Sequence, residues 1–422
     1  MARRSDPARD GAVGPALHGA VTGPGSPAGR MERGPTLLFV STVPPLIRNF
    51  YLPYAAHFRG RGWRVLLAAR DARHDATLRA AFDEVVDLPV SRSTLDWRNY
   101  TQAFVAIRRL LLAGPDIVHA HSPIAALLVR LAVATVPRAR RPAVVYTVHG
   151  FHFHHRGLRV TNAIFRTAER LAGRWTDRLI VMNDEDERSA RSGHFVAEDR
   201  LVRMPGVGID AEHYARSAIQ PGATEAALAV IAAAGRPVFV VVGELHRRKR
   251  HEDVVRALSA MRHRDAMLVL LGDGRRRPAL EALVRRLKLG DRVRFLGFVE
   301  DIRPYVAWAN AVVLASLREG LPRAVMEAMA LQVPVIVSAS RGNVDLVDST
   351  CGFVVPFGSV AGLAGAMDQV LDDPLTAATL GRRGRERIVS GYGLAEMIAR
   401  HDSLYGELLE ERSWGSAILA NQ

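Results

Sequence analysis

A chain of 422 residues is longer than one ordinary hydrophobic core supports, which indicates two domains. Hydrophobic residues make up 48% and charged residues 24%, and no apolar run approaches the roughly 20 residues of a membrane-spanning helix. The single cysteine, Cys351, excludes an intramolecular disulfide and fits a reducing compartment. We therefore expect a cytoplasmic protein with no membrane-spanning helix.

The formal net charge of +14 is unevenly distributed, because residues 34–205 hold 25 arginines against 15 acidic residues. A basic surface suits nucleic acid or an anionic membrane, and an arginine-rich composition alone produces the same excess. Aromatic residues are only 6% of the chain, and it has no nucleic-acid-reading motif. Nucleic acid is therefore not expected, whereas the inner face of the cytoplasmic membrane remains a candidate partner of the first half.

Residues 1–33 are rich in Gly, Pro, Ala and Arg without a periodic apolar face, which predicts a disordered extension. From residue 34, short apolar strands alternate with amphipathic helices, which predicts right-handed crossovers and a parallel sheet covered on both faces. The strands predicted in the first half are Thr36–Ser41, Trp63–Ala68, Ile117–Ala120, Val144–Val148 and Leu179–Met182.

The same alternation restarts after a Pro- and Gly-containing stretch, with predicted strands at Val238–Val242, Met267–Leu271, Val293–Leu296, Ala311–Ala315 and Pro334–Val337. The predicted fold class is α/β, with two Rossmann-like domains facing each other across a cleft. The predicted divisions are an extension at 1–33, a first domain at 34–206, a linker region at 207–235, a second domain at 236–393, and a C-terminal helix and tail at 394–422. Ligands of parallel sheets bind beyond the carboxyl ends of the strands, so the site residues are expected there.

The strongest motif runs from Glu319 to Glu327 and follows a predicted strand. It places two carboxylates eight positions apart across a helix start, where free backbone N–H groups and the positive end of the helix dipole suit a diphosphate. Glu319 is placed to bind sugar hydroxyls, and Glu327 to bind a ribose. An ordinary helix with acidic residues near its start explains the spacing equally well.

This motif, with Gly320, Leu321 and Pro322 between the glutamates, resembles the signature of the retaining, nucleotide-sugar-dependent glycosyltransferases of family four, which have the GT-B fold. The resemblance implies that Glu319 contacts the donor sugar, that Glu327 contacts the ribose, and that no metal or other cofactor is needed. It covers nearly the whole chain from Thr36. Residues 147–153, 176–183 and 341–343 resemble the branch of the family that makes capsule, exopolysaccharide or lipid-linked glycans, in which uridine diphosphate sugars are the preferred donors.

Donor-binding residues are also predicted after the first strands of the second half. Gly243 allows close approach of the backbone, and Lys249 is a compact charge suited to phosphate, although a solvated basic loop is the alternative. Glu244 occupies the place where many family members have arginine, so Arg248, or Arg247, is the candidate replacement. The resemblance adds contacts to the donor from the residues of two further strand ends: Gly272, Asp273, Gly274, Phe298 and Val299.

His149 ends a strand of the first half and aligns with the active-site histidine of the family. His119 and His121 end the preceding strand, where a buried structural role is equally expected. The histidines at 149, 152, 154 and 155 do not form a recognised metal-ligand pattern, so no metal is predicted. The acidic run that follows Asn183 is best explained as a capped helix start.

The segment after the first strand is predicted to be a loop at the acceptor, with Arg48, Asn49 and Phe50 as contacts suited to a lipid-linked molecule. The predicted activity is therefore transfer of a hexosyl or N-acetylhexosaminyl group from a nucleotide sugar to a lipid-linked or glycan acceptor. Lys249, Glu319 and His149 are the predicted catalytic residues. A nucleotide-sugar epimerase of the same fold, a basic nucleic-acid-binding protein and an inactive homologue are the alternatives.

Overall fold

Two parallel β-sheets organise the chain. The structure is a computed structural model that describes residues 34–91, 96–153, 158–231 and 235–420, so the predicted extension at 1–33 lies outside the described residues. The first sheet has the order β3-β2-β1-β4-β5-β6-β7 and the second the order β10-β9-β8-β11-β12-β13. The strands are β1 (Thr36–Ser41), β2 (Arg64–Ala69), β3 (Glu84–Asp87), β4 (Ile117–His121), β5 (Ala143–Val148), β6 (Arg178–Val181), β7 (Leu201–Arg203), β8 (Val238–Val242), β9 (Met267–Leu271), β10 (Val293–Gly297), β11 (Ala311–Leu314), β12 (Val335–Ser338) and β13 (Phe353–Val355).

Helices connect the strands and cover both faces of each sheet, which confirms the predicted fold class of two Rossmann-like domains. They are α1 (Pro44–Phe50), α2 (Leu52–Gly60), α3 (Ala76–Ala81), α4 (Phe104–Leu112), α5 (Pro123–Ala134), α6 (Arg159–Ala172), α7 (Asp184–Gly193), α8 (Pro221–Ile231), α9 (His251–Ala260), α10 (Arg277–Arg286), α11 (Arg303–Ala307), α12 (Arg323–Ala330), α13 (Asn343–Leu346), α14 (Val360–Asp372), α15 (Pro374–Gly391) and α16 (Leu394–Ala420). None of the helices within the described ranges has the length and apolar character that a membrane span requires.

The ten strands predicted from the sequence are all present, with ends that agree to within about one residue. Three short strands were not predicted: Glu84–Asp87, Leu201–Arg203 and Phe353–Val355. All three lie at an edge of their sheet, where one neighbour suffices and a long apolar run is not required. The segment from residue 42 to residue 54 was predicted as a loop, and that was wrong, because it forms α1 and the beginning of α2.

The last helix, α16, packs against the first sheet, although α15 before it contacts α12 of the second half. Met397, Leu404 and Tyr405 of α16 are buried with the residues of α2. The chain therefore crosses between the halves twice, and the crossings lie side by side, since the Ile209 N–H donates to the Tyr392 carbonyl at 2.8 Å. The exact division of the chain at 206 and 235 stays a prediction.

The strand order reverses at one point in each sheet, and these points position the site. In the first sheet β1 lies beside β4, so the chain segments after Ser41 and His121 diverge there. In the second sheet β8 lies beside β11, so the segments after Val242 and Leu314 diverge there. Ligands of open parallel sheets bind in the crevices that such reversals leave. The predicted site residues Lys249 and Glu319 follow the second pair of strands.

Candidate active site

Gly320 and His149 meet where the two halves of the chain face each other. A Cβ atom added to Gly320 would lie 2.5 Å from the His149 carbonyl oxygen, so only glycine fits at this contact. The Asn183 side-chain amide donates to the Gly320 carbonyl at 3.1 Å. The structure thus brings the loop before α12 directly against the end of β5, with predicted catalytic residues on both sides.

Glu319 and Lys249 form an ion pair at the carboxyl ends of β11 and β8. The Lys249 Nζ atom lies 2.8 Å from Glu319 Oε1, and both side chains are mostly buried, with exposed fractions of 17% and 11%. Burial alone would raise the pKa of Glu319, but the Lys249 ammonium outweighs that effect and holds the pKa below its ordinary value. The site therefore presents an ionised carboxylate and an ammonium group side by side.

Glu327 lies two turns into α12 and is buried. Its Oε1 atom accepts hydrogen bonds from the Tyr214 hydroxyl at 2.7 Å and from Arg323 Nε at 2.6 Å. The same Arg323 guanidinium lies 4.8 Å from the centre of the Phe50 ring and donates to the Asn49 carbonyl. Arg323 thus connects the predicted ribose-binding carboxylate to two of the predicted acceptor residues. Neither Tyr214 nor Arg323 was predicted from the sequence as a site residue.

A buried ion pair joins the two halves beside the Gly320 contact. Arg341 Nη1 lies 2.9 Å from Asp186 Oδ1, and both side chains are almost fully buried. Asn183 caps α7 by accepting from the Asp186 N–H at 2.9 Å, which agrees with the capped helix start expected there. Asp186 and Arg341 were not predicted as site residues. Local sequence patterns cannot reveal this pair, because its partners are 155 positions apart.

The glycines predicted to approach the donor also allow the loops after β8 and β9 to pack against each other. A Cβ on Gly272 would lie 2.2 Å from the Gly243 carbonyl oxygen, and one on Gly274 would lie 2.7 Å from that of Leu245. Asp273 is exposed and lies 3.6 Å from Arg277. The remaining donor-binding predictions lie at the same edge of the second sheet. Phe298 is 78% exposed, Val299 is partly buried, and Arg248 is exposed on the loop after β8. Leu321 packs against Gly206, and Pro322 occupies the N-cap position of α12 without a side-chain hydrogen bond.

The three residues predicted at the acceptor occupy α1, and only part of the set faces the second half. Phe50 packs beneath Arg323, and the Asn49 carbonyl accepts from the same guanidinium. Arg48 instead lies 3.7 Å from Asp75 and is 45% exposed. The acceptor role of all three residues stays a prediction.

His149 is one end of a chain of buried histidine and tyrosine side chains. Its Nε2 atom lies 3.4 Å from His121 Nδ1, and the His121 ring packs 4.1 Å from the centre of the His119 ring. His119 in turn bonds the hydroxyls of Thr147 and Tyr405, the second of which belongs to α16. Burial lowers the pKa of His149 to about 4. The imidazole is therefore neutral at physiological pH and adds no charge to the part of the site that the first half provides.

His401, which faces this histidine chain from α16, should make the folding stability depend on pH. It is 2% exposed, and burial lowers its pKa to about 4. Because the unfolded chain takes up this proton first, the free energy of unfolding falls as the pH drops from about 6.5 towards 4, by up to about 3 kcal/mol for one such group. We expect His401→Phe to reduce that slope in urea unfolding measured from about pH 7 to about pH 4.5. His74→Gln, at an exposed position, is the control. An unchanged slope in His401→Phe would contradict the assignment.

Within the described residues, no group of three or more His, Cys, Asp or Glu side chains is placed to hold a metal ion. His154 and His155, two of the histidines considered in the sequence, lie outside those residues. The expectation that neither a metal nor another cofactor is needed stays a prediction.

Two family models match the chain, one in each half. "Glycosyltransferase Family 4" matches residues 52–213, and "Glycosyl transferases group 1" matches residues 228–387. Together the matched ranges contain both sheets except for β1, and they include Lys249, Glu319 and His149. With the facing pair of parallel sheets, these matches define the chain as a glycosyltransferase with the GT-B fold.

Individual relatives agree with this class. The chain is 29% identical over 357 residues to EpsD of Bacillus subtilis, which is named as a glycosyltransferase, and the match covers 83% of this chain and 91% of the relative. It is 28% identical over 300 residues to the UDP-Gal:alpha-D-GlcNAc-diphosphoundecaprenol alpha-1,3-galactosyltransferase of Escherichia coli, covering 70% and 76% of the two chains. The crystal structure of Anabaena HepE with UDP and glucose superposes with a TM-score of 0.74 at 19% identity, covering 88% and 99% of the chains.

Proposed function

We propose that the protein is a retaining glycosyltransferase that transfers a sugar from a uridine diphosphate sugar to a lipid-linked or polysaccharide acceptor in cell-surface glycan synthesis. The observation that carries the proposal is the Lys249–Glu319 ion pair, which lies before α12 and near His149 of the opposite half. The names of two similar proteins support the donor and acceptor. The Escherichia coli relative uses UDP-Gal and a diphosphoundecaprenol acceptor, and HepE binds UDP and glucose.

The Lys249–Glu319 pair supplies the two kinds of group that a nucleotide sugar requires. An ammonium stabilises the negative charge that develops on the departing diphosphate, and the N–H groups at the start of α12 add to that stabilisation. A carboxylate accepts hydrogen bonds from sugar hydroxyls. When a donor binds, Lys249 turns to the phosphate and Glu319 to the sugar, so the ion pair is exchanged for contacts with the substrate. Glu327, with Tyr214 and Arg323 on one of its oxygens, keeps its second oxygen for the ribose.

The charges around the site favour retention of the anomeric configuration. An inverting transfer needs a general base on the acceptor side. Of the described residues, Glu319 and Asp186 are two mostly buried carboxylates close to the His149–Gly320 contact, and each is paired with a cation. His149 lies at the end of β5, where its imidazole, a weak base because burial lowers its pKa to about 4, can donate a hydrogen bond to the sugar. The acceptor hydroxyl then attacks on the face that the diphosphate leaves, and the departing diphosphate takes up its proton.

Helix α6 carries an apolar ridge that suits contact with a membrane. Leu158, Val160, Ile164 and Leu171 are exposed to between 51% and 78% and lie along one face of α6 or directly before it. The arginines at 159, 166, 170 and 174 are exposed around the ridge, whereas the one acidic residue of the helix, Glu169, is buried against Arg130. An apolar stripe flanked by cations is the pattern of a helix that lies on an anionic lipid surface.

Loss of this ridge should weaken membrane binding. We expect the double variant Val160→Ser, Ile164→Ser to bind phosphatidylglycerol-containing vesicles about tenfold more weakly, because less apolar area enters the lipid. Vesicle co-sedimentation measures this change. Val389→Ser, at a 55% exposed position on α15, is the matched control and should bind as the wild type does. Equal losses in both variants, or no loss in the first, would contradict the proposed surface.

A donor screen tests the function itself. The purified protein is incubated with individual nucleotide sugars, with and without a membrane lipid extract, and the released nucleoside diphosphate is measured. We expect one uridine diphosphate sugar to release its nucleoside diphosphate. The lipid extract should stimulate this release, and Glu319→Ala should abolish it. A protein that neither binds nor consumes any nucleotide sugar would refute the proposal.

A further inference from the structure

Arg318 directly precedes Glu319, and its guanidinium is not used by the reaction described above. Its Nη1 atom is buried without a hydrogen-bond partner among the described residues. A buried cationic donor without a partner is costly, and such groups generally mark a site that a ligand or water completes. The position of Arg318 beside the reacting sugar therefore calls for an anionic partner.

The surroundings of Arg318 are positively charged. Burial lowers its pKa, and the nearby charges of Arg341 and Arg248 lower it further, whereas Asp186 and Glu185 act in the opposite direction. Asp186 already pairs with Arg341 at 2.9 Å. A phosphate group would relieve the repulsion among these guanidinium groups and would accept the unused hydrogen bond.

The first half contributes His152 to the same place. This residue follows β5, and its ring stacks on Phe165 of α6 with the ring centres 5.2 Å apart. The segment that carries His152 lies beside the loop that carries Arg318, because a Cβ atom added to Gly320 would lie 2.5 Å from the His149 carbonyl oxygen. Burial, and then the positive charge of Arg318, lower the pKa of His152. Neutral imidazole donates one hydrogen bond, so His152 adds a second donor for an oxyanion from the opposite side.

Both the donor and a lipid-linked acceptor carry a diphosphate, and the contacts favour the acceptor. The loop that carries Arg318 contacts the first half at the end of β5, where Gly320 meets the His149 carbonyl. The charges of Asp186 and Glu185, also of the first half, act on the pKa of Arg318. Lys249, in contrast, pairs with Glu319 at 2.8 Å and so marks the donor side. The apolar ridge of α6 also begins here, because Phe165, on which His152 stacks, adjoins Ile164 in the helix.

We propose that Arg318 and His152 bind the diphosphate of a lipid-linked acceptor, separately from the donor diphosphate at Lys249, and that the apolar ridge of α6 lies along the lipid that follows. This inference rests on the proposed function and adds the anionic group by which the acceptor is recognised. It assigns Arg318, rather than the exposed Arg247 or Arg248, to an acceptor-specific role.

The test separates the two diphosphates by using one probe for each. Binding of UDP reports the donor side, and binding of farnesyl diphosphate in the presence of saturating UDP reports the acceptor side, both by titration calorimetry. We expect Arg318→Gln to weaken farnesyl diphosphate binding by at least about tenfold and to leave UDP binding within about twofold. Arg318→Lys should restore part of the affinity, and His152→Ala should cause a smaller loss. Arg383→Gln, at an exposed position on α15, is the matched control and should change neither.

Two results would overturn the inference. Equal weakening of UDP and farnesyl diphosphate by Arg318→Gln would assign the arginine to the donor, and unchanged farnesyl diphosphate binding would remove Arg318 from the acceptor site. A failure of the proposed function would give a different experimental result. If the wild type transfers sugar to a lipid acceptor and Arg318→Gln keeps the wild-type KM for that acceptor, the function stands and the diphosphate site does not. If no donor is consumed by the wild type, the function itself fails.

Discussion

Replacing Glu319 with alanine is expected to lower kcat by about a hundredfold to a thousandfold, the usual loss when one preorganised electrostatic contact of a transition state is removed. Two effects combine. The sugar loses a hydrogen-bonding carboxylate, and Lys249 loses the partner that lies 2.8 Å from its Nζ atom and fixes its position. Steady-state kinetics with the donor identified by the screen measures the change.

The controls for Glu319 separate charge from shape. Glu319→Gln keeps the size of the side chain but gives up the ion pair, so its loss should approach that of alanine if charge dominates. In the double variant Glu319→Ala, Lys249→Ala, the loss of kcat, expressed as a free energy, should be far smaller than the sum of the two single losses. The reason is that both residues act on the same donor. Thermal unfolding of each variant checks the fold. A Glu319→Ala protein that keeps more than about half of the wild-type kcat would contradict the catalytic assignment.

Replacing Gly320 with alanine is expected to lower kcat/KM by about a hundredfold without removing any functional group. The added Cβ would lie 2.5 Å from the His149 carbonyl oxygen and 2.9 Å from its carbonyl carbon. Both are backbone atoms, so no side-chain rotation relieves the clash, and the loop before α12 must move away from β5. A displacement of about 1 Å at the reacting groups is enough for a loss of this size.

Gly406→Ala is the matched control for this steric effect. Gly406 lies in α16 with no heavy atom within 4 Å of an added Cβ. The activity of the Gly406→Ala protein should therefore match that of the wild type, and the helix should gain slightly in stability. Small-angle scattering with UDP bound should show a larger radius of gyration for Gly320→Ala than for either the wild type or Gly406→Ala. Wild-type kcat/KM in Gly320→Ala would show that the contact with His149 is not part of the active arrangement.

Much of the fold could be predicted from the sequence because strands and helices are indicated by patterns of neighbouring residues. Central strands of a parallel sheet are continuous apolar runs, as in Val238–Val242, and the residues that follow them are the ones that the fold brings to the cleft. Lys249 and Glu319 were predicted from their place after such strands together with the family resemblance of their motifs, and the structure places them 2.8 Å apart. The edge strands were missed because a short strand with one neighbour carries little of this pattern.

The residues that connect the two halves could not be predicted in the same way. Arg341 and Asp186 meet only because two separate domains face each other, and neither residue lies in a pattern that indicates its partner. Arg323 contacts Asn49 and Phe50 across the cleft, and no local sequence pattern indicates these contacts.

Arg248, or Arg247, was predicted to take the place of the family's usual arginine because both lie near Glu244. The structure leaves both side chains exposed, and their contact with the donor stays a prediction.

The configuration of the transferred sugar tests the central claim most directly. The protein is incubated with the uridine diphosphate sugar found in the donor screen and with a lipid-linked acceptor, and the anomeric proton of the isolated product is examined by NMR spectroscopy. We predict a lipid-linked product whose new glycosidic bond keeps the anomeric configuration of the donor. A product with the inverted configuration, or donor consumption that yields only an epimerised sugar nucleotide, would contradict the mechanism proposed for Lys249, Glu319 and His149.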